Sequence, residues 1–199
     1  ANFAKVKEDA HENGNDDGQL SGCKVLVVDD VDANRQLLRS LLEARGCEVA
    51  EVPGGLDALE LLHLKADRQE FFEVILIDYL MPILDGLGLA RYIKSNPVLA
   101  PTPLVLLTSV PDLDTSHLKE QGFWIYGADV GGATDFQAFD KVNRMALVMG
   151  SEGKGIRPLV RKKCDFLISI PMKGKIDSLN VSVAAGIIIH NVVSKWDKT

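Results

Sequence analysis

Asp29 and Asp30 follow the apolar run 25–28, Asp78 follows the run 74–77, and Thr108 follows the run 104–107. Continuous apolar runs of this length, bounded by turn residues, predict strands buried on both faces, and so a parallel sheet. In open sheets of that kind the ligand crevice lies outside the carboxyl ends of the strands. The spacing therefore sends three carboxylates and one hydroxyl to a single edge. Three carboxylates held close together repel one another unless a cation sits among them. A hard oxygen ligand set with water in the remaining positions suits Mg²⁺. Any one of these acids alone reads most simply as a strand-end charge or a helix cap. The whole set in this order points to a metal site at Asp29, Asp30 and Asp78.

A second candidate is the turn Gly150-Ser151-Glu152-Gly153-Lys154-Gly155, which follows the apolar run 145–149. Glycines let a backbone approach a ligand closely. The turn lacks the spacing of a P-loop and of the dinucleotide fingerprint, so by itself it reads equally well as a plain strand–helix turn.

The elements that must position these residues alternate along the chain. Strands are expected at about 24–29, 48–52, 74–78, 103–108, 123–128, 145–149 and 166–170. Helices are expected at about 33–45, 55–64, 86–94, 113–121, 158–163 and 179–196. In the first helix Leu37, Leu38, Leu41 and Leu42 share one face, and Gly46 stops it. In the second, Leu56, Leu59 and Leu62 are expected to point inward. This alternation predicts an α/β fold with a doubly wound, mostly parallel sheet. Seven strands could make one continuous sheet, or the back could pack as a second small layer.

Asp29-Asp30, then Asp78-x-x-Met81-Pro82-x-x-Asp85-Gly86, then Thr108, resembles the receiver domain of two-component response regulators. The resemblance implies a flavodoxin-like front. By position it makes Asp78 the phosphoacceptor, Asp29 and Asp30 Mg²⁺ ligands together with Asp78, and Thr108 the switch hydroxyl. Receivers also carry a Lys at the end of the fifth strand. Here the strand at 123–128 is followed by no Lys until Lys141.

The run from Cys164 to Met172 and then Ile176 to Gly186 closely resembles the SpoU family, the knotted, S-adenosylmethionine-dependent RNA 2′-O-methyltransferases. The resemblance begins near Leu118 and implies a SPOUT-type back with a C-terminal trefoil knot, an exception to the usual absence of knots. By position, Met149, Gly150, Gly153, Gly155, Ile170, Met172, Ser178, Leu179 and Asn180 form the cofactor pocket, and Glu152 and Asn180 are catalytic-motif residues. Ser178 and Asn180 also suit helix N-capping. The family's first motif, an Asn followed later by a catalytic Arg, is reproduced by no stretch before residue 118. Asn34-Arg35 lies within a helix pattern and lacks the motif's surroundings.

Composition bounds the rest. Hydrophobic residues make up 46% and charged residues 25% of 199 positions, ordinary for a soluble globular protein. No apolar stretch approaches the roughly 20 residues of a membrane span, and the polar residues 1–22 resemble a flexible leader more than a secretory signal. Cys23, Cys47 and Cys164 are too scattered for a zinc pattern, and their odd number argues against a disulfide framework. A cytoplasmic protein is expected. Residues 1–140 hold 11 Lys and Arg against 24 Asp and Glu, a net −13, while residues 141–199 hold 11 against 4, a net +7. The basic back is compatible with RNA.

The expected organisation is a leader at 1–22, a receiver-like part at 23–112 and a SpoU-like part at 113–199. It reads as a fused or engineered chimera. Three functions follow: a phosphorelay module served by a histidine kinase or phosphotransfer protein; an RNA methyltransferase or its cofactor-binding remnant, homodimeric as in the family; or a structural chimera with neither activity.

Overall fold

The protein is described here from a computed structural model, over residues 22–109, 113–129, 134–135, 142–150, 155–170, 184, 187–189 and 191–192. The front alternates strands and helices: β1 (Lys24–Val28), α1 (Asp32–Glu43), β2 (Glu48–Val52), α2 (Gly55–Asp67), β3 (Val74–Asp78), α3 (Gly86–Ser95) and β4 (Leu104–Thr108). The chain continues through α4 (Thr115–Glu120), β5 (Trp124–Ala128), β6 (Thr134–Asp135), β7 (Arg144–Met149), α5 (Pro158–Lys163) and β8 (Phe166–Ser169). Residues 184, 187–189 and 191–192 are helical.

Among the described residues the strands form one eight-stranded sheet in the order β2-β1-β3-β4-β7-β5-β8-β6. Every neighbouring pair is parallel. Front and back are thus continuous through β4 and β7, whose register runs from Leu104 opposite Arg144 to Thr108 opposite Val148. The eighth strand is the two-residue β6, inside a stretch expected to be loop.

The apolar runs are explained by burial on both faces. Leu26, Val28, Ile75, Ile77, Leu104, Leu106, Ala146 and Val148 face one side, where Ala58 and Leu62 of α2, Leu89 and Ile93 of α3, Leu118 of α4 and Val160 of α5 cover them. Val25, Val27, Val74, Leu76, Val105, Met145 and Leu147 face the other side, under Leu38 and Leu42 of α1 and under Ile188, Ile189 and Val192. Each such Val, Leu, Ile or Met side chain taken from water contributes about 1.5–3 kcal/mol, and the period-2 alternation shares that gain between two helical layers.

One expectation changes, and the strand order adds a finding. Leu56 is 54% exposed, not inward. It sits in the first turn of α2, whose buried stripe is Gly55, Ala58 and Leu62. The slot beside β4 is filled by β7, with β5 one place further out. Both are short apolar runs, and periodicity does not say which neighbour a strand takes.

Candidate functional site

The order β2-β1-β3-β4 places the reversal of winding between β1 and β3, the position where open α/β sheets hold ligands. Asp29 and Asp30 leave β1 there and Asp78 ends β3. Asp78 pairs in register with Leu107, and the Tyr79 N–H donates to the Leu107 carbonyl at 2.9 Å, so Thr108 stands at the same edge. Thr108 is buried, at 4% exposure.

The loop after β3 is held against Asp78 by its backbone. The Gly86 N–H donates to the Tyr79 carbonyl at 3.1 Å. A Cβ on Gly86 would lie 2.3 Å from the Asp78 carbonyl oxygen, so no side chain fits. Asp85 caps α3 by accepting from the Gly88 N–H at 2.7 Å. Between them Ile83 has φ 69°, and the Leu84 N–H donates to the Pro82 carbonyl at 2.8 Å across it. That is a γ-turn with a β-branched residue at its strained centre, and Ile83 is 92% exposed.

Electrostatics single out Asp78. Burial, followed by the Asp29 charge and then more weakly Asp30, pushes its carboxyl up to about 6, although the Leu80 and Tyr79 N–H groups favour the charged form. Burial also raises Asp29, against hydrogen bonds from Val31 and Asn34. This excess of negative charge and the all-oxygen donor set fit a hard divalent cation in chemistry. The ligand set is not preformed: among the described residues, no three His, Cys, Asp or Glu side chains stand together as a metal group. Asn34 also occupies the Asp29 carboxylate. Its amide donates to both Asp29 carboxylate oxygens, at 3.0 and 3.3 Å, while the Val31 N–H donates to one of them at 2.8 Å. Arg35 donates to the Asp29 carbonyl at 2.7 Å and pairs with Asp32. Asn34 and Arg35 were missed as site residues in the sequence. The available signal was their place in the first turn of the helix that directly follows Asp29.

The second candidate lies along the same edge. Ala128 pairs with Met149 on one side and Ile168 on the other, which brings the ends of β7, β5 and β8 into line. Met149, Gly150, Gly155 and Ile170 therefore lie along the same carboxyl edge, on either side of β5. A Cβ on Gly150 would lie 2.5 Å from the Gly155 carbonyl carbon, so the two ends of the turn close on each other. Gly155 has φ 64°, a left-handed conformation that glycine adopts freely. Asp129, also missed in the sequence, follows β5 beside Gly155 and pairs with Arg161 at 3.1 Å. This donor set of backbone groups, Met149 and Ile170 suits a neutral or apolar part of a ligand. Glu152, Gly153, Met172, Ser178, Leu179 and Asn180, and the segment on which a knot depends, lie outside the described residues. Among the described residues no helix is long and apolar enough to cross a membrane.

Comparison with known proteins finds two families in the chain. The family model for the response regulator receiver domain matches residues 25–122, and that for the SpoU rRNA methylase family matches residues 103–190. A protein described as TrmH family tRNA/rRNA methyltransferase YacO, from Bacillus subtilis (strain 168), is 51% identical over 79 residues, 40% of this chain and 32% of its own length. A TrmH family tRNA/rRNA methyltransferase of Staphylococcus aureus (strain COL) is 41% identical over 93 residues, 47% of this chain and 37% of its own length. The chain thus spans about a third of the curated relatives it matches. Among solved structures, the chemotaxis response regulator CheY4 of Vibrio cholerae is 29% identical over 51% of this chain and 82% of its own, with a TM-score of 0.43. The chain combines a receiver-like front with a SpoU-like back, and the two matches overlap on β4 and α4.

Proposed function

We propose that the chain is a phosphoacceptor receiver module fused to the S-adenosylmethionine-binding half of an RNA 2′-O-methyltransferase, with both activities impaired. The observation that carries the front half is Asp78 at the β1/β3 switch point, with its carboxyl raised to about 6 by burial and by Asp29 and Asp30. At neutral pH this carboxylate is ionised in most molecules and exposed enough to act as a nucleophile. One Asp78 oxygen attacks the phosphorus of a small phosphodonor, the bond from phosphorus to the donor's leaving oxygen breaks, and an acyl phosphate remains on Asp78. Asp29, Asp30 and Asp78 would hold Mg²⁺, whose charge offsets the negative charge gathered there. Thr108, buried at the same edge, would be the switch hydroxyl for the transferred group.

The impairment follows from missing cations. Neither β5 nor β7, the two candidates for the fifth receiver position, is directly followed by Lys. On the back, Met149, Gly150, Gly155 and Ile170, with Gly153, Met172, Ser178, Leu179 and Asn180, would hold S-adenosylmethionine, which supplies a methyl group when bound. Glu152 and Asn180 remain as motif residues, but the first-motif Arg is absent. Loss of one such element costs about 10²–10⁴-fold in rate. The proposed division is a leader at 1–22, a receiver part at 23–112 and a SpoU-like part at 113–199. A histidine kinase, RNA and a second copy of the chain are the corresponding partners, in the cytoplasm.

Acetyl phosphate treatment followed by intact mass tests the front: wild type should gain one phosphoryl group and Asp78→Asn none. Equal gain in both would place the modification elsewhere. Calorimetric titration with S-adenosylhomocysteine, paired with a tritiated-methyl assay on ribosomal RNA, tests the back. Binding without transfer is expected. Robust transfer would support an intact methyltransferase, and no binding by the folded protein would leave a structural chimera. That last reading is favoured on the front side by one observation, the Asn34 amide already lying on both Asp29 oxygens.

A further inference from the structure

Helices run antiparallel to the strands they cover, so the carboxyl ends of α3 and α4 and the first residue of β7 all meet at the amino edge of the sheet. This is the edge away from Asp78. Arg91 and Lys94 of α3, Gln121 after α4 and Arg144 of β7 line a cavity there of about 230 Å³, with buried Phe123 also in its wall. Among the described residues no carboxylate lines it and none of the three cations forms an ion pair.

Part of this charge serves the fold. Lys94 donates to the carbonyls of Ala100 at 2.8 Å and Thr102 at 2.6 Å, and Arg144 donates to the Gln121 carbonyl. Cations near helix carboxyl ends are favourable in themselves. That role leaves much of the donor capacity unused. An ammonium has three N–H groups and a guanidinium five, so among the described residues Lys94 keeps one unused and Arg144 several. Among the described residues Arg91 has no hydrogen-bond partner, and neither does the Gln121 side-chain amide. The Ser95 hydroxyl is spent on the Tyr92 carbonyl and adds nothing. The grouping is also costly as it stands: burial, and then the Arg144 charge, push the Lys94 ammonium down to about 8. An anion between them would reverse both costs by giving the charges a partner and the spare N–H groups acceptors.

We propose that Arg91, Lys94, Arg144 and the Gln121 amide bind a phosphate group, free or carried on an RNA backbone. The cavity is smaller than the roughly 300–1,000 Å³ of sites that enclose drug-sized ligands, which suits one phosphate rather than a whole nucleotide. The forked guanidinium geometry matches phosphate oxygens. The site draws two cations from the front and one from the back, so it exists only where β7 packs beside α3. It depends on neither phosphorylation of Asp78 nor methyl transfer.

The test is a titration of the full chain with inorganic phosphate, followed by amide chemical shifts, against sodium chloride at matched ionic strength. Wild type should show saturable shifts around residues 91–95, 121–123 and 144 with phosphate and not with chloride. Arg91→Gln should weaken binding about tenfold and leave thermal stability unchanged, because Arg91 makes no hydrogen bond or ion pair among the described residues. Arg91→Lys should recover part of the loss. Competition with a short oligouridylate separates the sources. Displacement of phosphate by the RNA, lost in Arg91→Gln, would place the group on a nucleic acid backbone; phosphate binding without such displacement would place it on a free anion. Equal shifts with phosphate and chloride, or equal affinity in wild type and Arg91→Gln, would overturn the proposal.

Discussion

The two ends of one sheet edge are built from opposite materials. At the front, beside β1 and β3, charged side chains dominate: Asp29, Asp30 and Asp78 interact, and the Asp78 carboxyl is lifted to about 6. At the back, beside β7 and β8, the described residues are backbone and apolar side chains: Gly150 closing on Gly155, with Met149 and Ile170. Asp129, beside Gly155, is already paired with Arg161. A front of this kind holds unbalanced charge and calls for a cation. A back of this kind holds shape, and a ligand would be recognised through backbone groups.

The largest expected effect breaks both halves through their glycines. A methyl on Gly86 meets the Asp78 carbonyl oxygen at 2.3 Å, and one on Gly150 meets Gly155 at 2.5 Å. Gly86→Ala and Gly150→Ala should each lose about 3 kcal/mol or more of stability, read from urea denaturation, because backbone must move in both. If either substitution is neutral, the close approach on that side is wrong.

Charge separates the halves next. The Asp78 carboxyl is raised in the folded state, so between its ordinary value of 3.8 and about 6 the folded chain binds more protons than the unfolded one. Stability therefore falls as pH rises through that window, and the full cost is present above it. Asp78→Asn removes the cost. It should stabilise the metal-free protein by about 1–2 kcal/mol at pH 8, after solvent screening, with the gain vanishing below about pH 4. Asp129→Asn should instead destabilise by about 1 kcal/mol or less, through the lost Arg161 pair. Thermal melts of both variants at several pH values check the contrast.

Two smaller effects sharpen the account of the front. Replacing Ile83 with Gly relieves a β-branched residue at φ 69° and should stabilise by about 1 kcal/mol in chemical denaturation. Removing the Asn34 amide by Asn34→Ala frees the Asp29 oxygens it occupies. Mg²⁺ should then bind about fivefold more tightly, near 1 kcal/mol, by chemical-shift titration. Unchanged affinity would mean that Asn34 does not compete with the cation.

Much of the front was legible because its chemistry is carried by side chains at strand ends. An apolar run followed by Asp marks both the strand and the edge, and β3 begins and ends at Val74 and Asp78 as expected. Gly86 was legible as a motif residue, while the reason for it, the 2.3 Å approach to Asp78, needed the fold. Asn34 was overlooked because a polar residue in the first turn of a helix looks solvated until its target is known. Strand order was hidden for a different reason. β5 and β7 are both buried runs of similar length, and only long-range packing places β7 beside β4. The exposure of Leu56 has the same origin: its helical spacing fits an inward face, but packing turns the neighbouring stripe of Gly55, Ala58 and Leu62 to the core.

The central claim is that a receiver-like front and a SpoU-like back share one sheet through β4 and β7. Native-state amide hydrogen exchange of the full chain tests it most directly. A strand locked between β4 and β5 should open only with the whole sheet, so Arg144–Met149 should be protected to within about tenfold of Val74–Asp78. Exchange of Arg144–Met149 about a thousandfold faster than Val74–Asp78, with the front still protected, would contradict the claim and leave the back as a separate unit.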